Sequence, residues 1–544
     1  MSERMYFDCH ASYGPRIGMH PEERWTLDHL REDLDLAGIA GALVCHAQGL
    51  LYDPMLSNRR LVRELAPWRK TLIPCWTLHP AVAGDMPGVS ELERMLVGED
   101  IRAVRLEPQV FGLPMDRDIW DELLDLLRRR QILVVTAMQG CPPDGIVLDR
   151  FLNLLAGIPV VYFDAHWSQW RRFAHLMNRH SHLHLEFSTF QANRAIEYFA
   201  ATWGANRCLF GTGLPQKAPG AARGFLDWTL LDEPCAAQIA GGNLRRLLRG
   251  AGPVQAPKPG IWHDALTAAA RSGQRLPCVM WDGHCHVLHE GGSHAGGVFH
   301  MHDGGPRGMR ELIRRVGIEK TAIMSWAGPL SGDADTGNAI VAEAVRQYPD
   351  DFFGLVTIRP ETQTPSEIEA TIRRYHLELK FPGLKPFPRE TLDFDHPLFA
   401  SWFAFADRHG LYMVYDPCRW GEEGTRVIEH LTRLYPRVAL HLDHCGQSWP
   451  YARWAAEMVR RFPQVYAQLN YTAVTNGVIE YLAAEAGPDK ILFGTDAPMR
   501  DPRPQVGWLV FTRISEDRKR RIFGLNFRDQ VIAALTRLGL APSS

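Results

Sequence analysis

Two stretches of this chain carry nearly the same motifs in the same order, and that internal repeat limits the fold more than any other feature. Phe7-Asp8-Cys9-His10-Ala11-Ser12 corresponds to Trp281-Asp282-Gly283-His284-Cys285-His286. Further on, Phe210-Gly211-Thr212-Gly213-Leu214-Pro215 corresponds to Phe493-Gly494-Thr495-Asp496-Ala497-Pro498. The chain between the paired motifs has nearly the same length in both copies, and each copy closes on a helical stretch with a Gly and an Asn, at Gly242-Asn243 and at Gly524-Leu525-Asn526. Between the copies, residues 250–260 are rich in Pro and Gly, as linkers are, and an amphipathic stretch at 261–273 reads as a short lead-in helix. The reading divides the chain into residues 1–250, a linker and lead-in helix over 251–276, and residues 277–544. Length agrees, because one hydrophobic core stops growing near ~250–300 residues.

Within each copy, short apolar runs alternate with longer stretches of helical period, the pattern of βα units around a parallel sheet. The second copy predicts strands at Cys278–Gly283, Lys320–Ser325, Phe352–Ile358, Gly383–Lys385, Leu411–Tyr415, Val438–Leu442, Val465–Leu469 and Ile491–Gly494. The first predicts Met5–Phe7, Gly38–Cys45, Thr71–Thr77, Ala103–Leu106, Ile132–Thr136, Val160–Phe163, Leu183–Phe187 and Cys208–Phe210. Eight such units in each copy give an α/β fold of two tandem TIM-type (β/α)8 barrels.

Composition narrows the partners. A formal net charge of −2 gives no long-range field for nucleic acid or an anionic membrane. No apolar run is long enough to span a bilayer or act as a signal peptide, so a cytoplasmic protein is expected. The ten cysteines form no CxxC pair and read as reduced thiols. A small-molecule substrate is the expected partner.

The chemistry gathers in the second copy. His284 and His286 are two apart on a strand and point to the same face, here the barrel interior. Asp496 closes the eighth strand, which neighbours the first in a barrel, so a carboxylate joins the two imidazoles at the C-terminal mouth as a set suited to a divalent metal. At the end of strand six, His444 would project into the same mouth as a general base or electrophile. Lys385 on strand four adds a positive charge suited to an acidic substrate. The histidines of the loop at 287–306 (His289, His294, His300 and His302) show no ligand spacing and read as a surface loop, part of which covers the mouth.

These residues, with the segments Asp395-His396-Pro397-Leu398 and Asp443-His444-Cys445-Gly446, resemble the amidohydrolase superfamily, in the branch related to aminocarboxymuconate-semialdehyde decarboxylase. The resemblance implies one divalent metal, zinc or alternatively manganese, on His284, His286 and Asp496, with His444 and Asp496 catalytic. It also implies a further ligand after strand five, where this chain has Asp416 in place of the family's histidine. The first copy has Ser12, Ala137 and Gly213 at ligand positions, His166 as the candidate relic of His444, and Arg105 in place of Lys385; it reads as a pseudo-enzyme. Because relatives pair barrels as homodimers, the resemblance implies an intramolecular pseudo-dimer, open to further homo-oligomerisation. The function expected first is metal-dependent hydrolysis of a C–N or C–O bond in a small acidic molecule. The alternatives are non-oxidative decarboxylation, metal-independent lactone opening, and a scaffold without catalysis.

Overall fold

The computed structural model describes residues 4–139, 145–255, 257, 260–388, 392–416, 420–471 and 473–540. It resolves into two compact units, one running to His263 and one from Asp264 onward, with Ala192–Arg194 counted in the second.

The first unit is an eight-stranded parallel sheet in sequential order: β1 Tyr6–Tyr13, β2 Ile39–His46, β3 Leu72–Thr77, β4 Ala103–Arg105, β5 Leu133–Thr136, β6 Val160–Tyr162, β7 Leu183–Glu186 and β8 Cys208–Leu209. The amide of Cys9 donates to Phe210 O (3.0 Å) and that of Ser12 to Leu214 O (2.9 Å), which closes the sheet into a barrel. Alternate side chains point inward, so Phe7, Leu43, Ile73, Leu133, Val161 and Leu209 fill the interior. Cys9, Cys45 and Cys75 share that interior as small apolar groups. All eight cysteines among the described residues are free thiols. Cys141 and Cys418 lie outside the described residues.

The second unit repeats the plan with β9 Trp281–His286, β12 Lys320–Met324, β13 Phe352–Val356, β14 Gly383–Leu384, β15 Tyr412–Tyr415, β16 Ala439–Leu442, β17 Val465–Leu469 and β18 Ile491–Phe493. The amides of Thr495 (3.2 Å) and Asp496 (2.8 Å) donate to His284 O and close it. Outer helices are amphipathic by sequence. In Pro306–Val316, Met309, Leu312, Ile313 and Val316 recur at helical spacing and are buried, leaving Arg314 and Arg315 to the last turn. The lead-in helix is shorter than predicted, Ala265–Arg271, because Asp264 caps its N-terminus through Thr267. One strand prediction is corrected: β1 and β9 run on through the motif residues to Tyr13 and His286 instead of ending at Phe7 and Gly283. Within the loop after β9, β10 His294–Ala295 and β11 Phe299–His300 pair as an antiparallel hairpin. No helix among the described residues is long and apolar enough to cross a membrane.

Three side-chain clasps occur in both barrels and explain the repeated motifs. Asp8 accepts from the amides of His10 (2.8 Å) and Thr212 (3.0 Å) and from the Thr212 hydroxyl. Asp282 does the same with His284 N (3.0 Å), Thr495 N (3.1 Å) and Thr495 Oγ1 (2.5 Å). Each joins the first strand to the eighth. Asn58 and Asn338 pair reciprocally with the backbone of Thr77 and Thr357 at 2.8–3.0 Å. Asn243 donates to Ala205 O and Cys208 O, as Asn526 does to Pro488 O and Ile491 O.

Candidate active site

Because every strand is parallel, the C-terminal ends of β9 and β14–β18 bring their last residues to one mouth. His286 Nε2 lies 2.8 Å from Asp496 Oδ1, His284 Nε2 lies 3.6 Å from the same oxygen, and the two Nε2 atoms are 3.3 Å apart. All three side chains are buried. Metal–ligand bonds of about 2.1 Å in a tetrahedron leave ligand atoms about 3.4 Å apart. The three observed separations bracket that spacing, so the trio fits a divalent cation.

Burial pushes His286 down to about 3, which keeps the ring neutral as a donor must be. Burial pushes the other way on Asp496, yet Arg500, with Nη1 2.6 Å from Oδ2, and His286 hold it well below the usual carboxylate range. The His286 ring stacks on Trp326 with centroids 3.8 Å apart.

Behind the trio, Asp443 is a hub that sequence reasoning passed over. Its Oδ1 lies 2.9 Å from His284 Nδ1 and accepts from Asn470 Nδ2 (2.5 Å), and its Oδ2 accepts from Lys385 Nζ (2.8 Å). Despite complete burial, His284, His444 and Lys385 hold it well below the ordinary carboxylate range. A carboxylate on the far nitrogen of a ligand histidine fixes its tautomer and turns Nε2 toward the cation. The only sequence signal was its place beside His444. Lys385, expected to meet an acidic substrate, is buried against Asp443, so its charge is already matched within the chain.

His444 stands at the rim, its amide held by Asn470 Oδ1 (2.7 Å) and its backbone in the left-handed region at φ 58°. Asp496 shares that conformation at φ 59°. Non-glycine residues are uncommon there, and active-site residues are often held so. The His444 ring packs near Tyr471 at 4.7 Å between centroids, and its Nε2 is 4.0 Å from Asp416 Oδ2. Asp416 thus groups with Asp443 and His444, set apart from the histidine pair.

The register of the first barrel corrects one expectation. The amide of Phe163 bonds Thr136 O as that of Asp443 bonds Tyr415 O, which aligns Phe163 with Asp443 and Asp164 with His444. Asp164 has the same left-handed backbone, φ 56°. His166, read as the relic of His444, lies two residues beyond that position. There its Nδ1 meets Ser168 Oγ (2.7 Å) and caps the short helix Trp167–Gln169.

The protein-family model described as Amidohydrolase matches residues 281–528. No curated protein matches the chain. Among solved structures, an uncharacterised TIM-barrel protein from Bordetella bronchiseptica is 18% identical over 47% of this chain and 99% of its own, with a TM-score of 0.38. A 5-carboxyvanillate decarboxylase from Sphingomonas paucimobilis is 16% identical over 46% and 97%, with a TM-score of 0.36. A dihydroxybenzoic acid decarboxylase from Polaromonas sp. JS666, with bound manganese, is 18% identical over 47% and 97%, with a TM-score of 0.37.

Proposed function

Residues 281–528 are an amidohydrolase-family domain, and from its mouth we propose that the second barrel is a divalent-metal-dependent decarboxylase of small, planar, unsaturated or aromatic carboxylic acids. The observation that carries this reading is the bonding of Asp496. The hydrolysis expected from the sequence uses the strand-eight carboxylate to take a proton from water. Here Oδ1 is engaged by His286 and Oδ2 by Arg500 at 2.6 Å, which suits Asp496 to a fixed anionic role and not to a proton shuttle.

The trio His284, His286 and Asp496 would hold the cation, which when bound supplies a Lewis acid for the substrate carboxylate. Asp443 keeps His284 aimed, and Lys385 balances Asp443. Trp326 behind His286 and Tyr471 beside His444 give aromatic surfaces suited to a flat substrate. In the reaction the C–C bond to the carboxylate breaks, CO2 leaves, and the bonding pair stays on the ring or vinyl carbon. His444, at the rim, delivers the proton that replaces it.

A second reading is favoured by one contact. Asp416 and His444, 4.0 Å apart, form an acid–base pair that could take a proton from water, and hydrolysis would then run through them instead of Asp496.

The two readings separate on product. Manganese-loaded enzyme is incubated in D2O with a panel of hydroxybenzoic acids and, in parallel, with lactones and amides. Release of CO2 with one solvent deuterium in the product is expected, together with a drop in kcat of at least about 100-fold for His444→Ala. Turnover of a lactone or amide without CO2 would overturn decarboxylation in favour of hydrolysis.

A further inference from the structure

The first barrel keeps His10 at the position of His284 but has lost the second histidine and the strand-eight aspartate, yet its mouth is strongly polar. His10 Nδ1 lies 3.2 Å from Glu186 Oε1, and His10 Nε2 lies 3.8 Å from Asp164 Oδ2. One ligand atom from each of these three residues falls within 4.8 Å of the others. Glu186 is fully buried and fixed by the amides of Asp164 (2.9 Å) and Ser188 (2.7 Å). Two carboxylates and an imidazole form an anionic donor set of the kind that takes a divalent cation.

A cation already sits against Asp164. Lys217 Nζ donates to Asp164 Oδ1, to Thr189 Oγ1, and to Ser188 Oγ at 3.2 Å. Its route in is explained by the residue that replaced the aspartate. A Cβ built on Gly213, the position of Asp496, would stand 2.8 Å from Lys217 Cδ and 3.1 Å from Nζ. Lys217 follows Gly213 by the same four positions by which Arg500 follows Asp496. In the second barrel the residue at this position bonds the aspartate; in the first the aspartate is gone, and the lysine runs through the space it left to reach Asp164.

We propose that the first barrel contains a latent divalent-cation site formed by His10, Asp164 and Glu186, held closed in the native chain by the Lys217 ammonium in the cation's place. A fixed single charge within hydrogen-bond reach of Asp164 both neutralises that carboxylate and repels an incoming ion. The first mouth is therefore metal-free by construction, through a residue gained as well as through ligands lost.

The test counts manganese bound by the full-length protein, as the difference between variants, so it does not depend on what the second barrel does. Lys217→Ala should bind one equivalent more than wild type, Lys217→Arg should not, and adding Asp164→Asn to Lys217→Ala should return the count to the wild-type value. Equal counts for wild type and Lys217→Ala, at a native far-UV CD spectrum, would overturn the proposal; Lys217→Met serves if the alanine variant does not fold. His10→Ala in the otherwise native chain must leave the count unchanged, and loss of an equivalent there would equally overturn it.

Discussion

The two barrels agree where chain is joined to chain and differ where side chains face the mouth. Asp8 and Asp282 bind the same three donors, Asn58 and Asn338 grip the same strand end, and Asp164 and His444 share a left-handed backbone. Above that frame one mouth carries a histidine pair and a carboxylate, and the other a lysine bridging a carboxylate and two hydroxyls. The clasps close the barrel whatever chemistry sits above them, so they survive a change of chemistry. The mouth residues answer only to function, and each can be exchanged once its neighbour's charge is matched.

If the frames are equivalent, breaking the same clasp should cost both barrels alike, and this is the largest effect expected. Asp8→Ala and Asp282→Ala each leave three buried donors without an acceptor, at about 1–3 kcal/mol apiece. Hydrogen exchange read separately on peptides of each copy should show several kcal/mol lost in the substituted barrel. A large loss from Asp282→Ala with little from Asp8→Ala would mean that the first clasp is vestigial and the equivalence false.

Acid offers a comparison through a buried histidine outside the mouth in each barrel, beside its action on His286 in the second mouth. His184 in the first barrel and His376 in the second are buried, and burial pushes each down to about 4. His376 is locked as the neutral ring, donating from Nδ1 to Phe381 O (2.7 Å) and accepting at Nε2 from Trp402 (2.9 Å). Unfolded, each would bind a proton near 6.5, so between about 6.5 and 4 the unfolded chain holds more protons than the folded one. Stability is then complete above that window and falls as pH drops through it, by about 3 kcal/mol per histidine. Both copies should lose exchange protection in parallel between pH 7 and 5, and a first barrel indifferent to acid would break the comparison.

What was legible in the sequence was whatever repeats or keeps a fixed spacing. The duplicated Asp and Gly-Thr motifs gave two barrels because the clasps need those residue types on adjoining strands. His284, His286 and Asp496 were legible because β9 and β18 adjoin. Asp443 was not, since its four partners come from β9 and from the residues just after β14, β16 and β17, and only folded register brings them together. His166 misled because a histidine in the right motif is a stronger signal to the eye than register, which puts Asp164 at the rim. Lys217 had a signal that went unread: it stands opposite Arg500, four residues beyond a glycine in place of an aspartate.

That glycine allows the smallest and sharpest comparison, restoring the second copy's residue to the first as Gly213→Asp. Gly213 has φ 73° and Asp496 has φ 59°, so the backbone is already in the conformation that an aspartate tolerates in the other barrel. Left-handed backbone costs a non-glycine residue about 1–2 kcal/mol, and aspartate sits at the lower end because its short side chain bonds locally. The three atoms nearest the new Cβ all belong to the Lys217 side chain, which is long enough to move aside and pair with the new carboxylate as Arg500 pairs with Asp496. A loss of about 1 kcal/mol in the first barrel is therefore expected, read by the same peptide-resolved exchange. A loss several times larger would show that Lys217 cannot leave Asp164, and that the first mouth has become part of the frame itself.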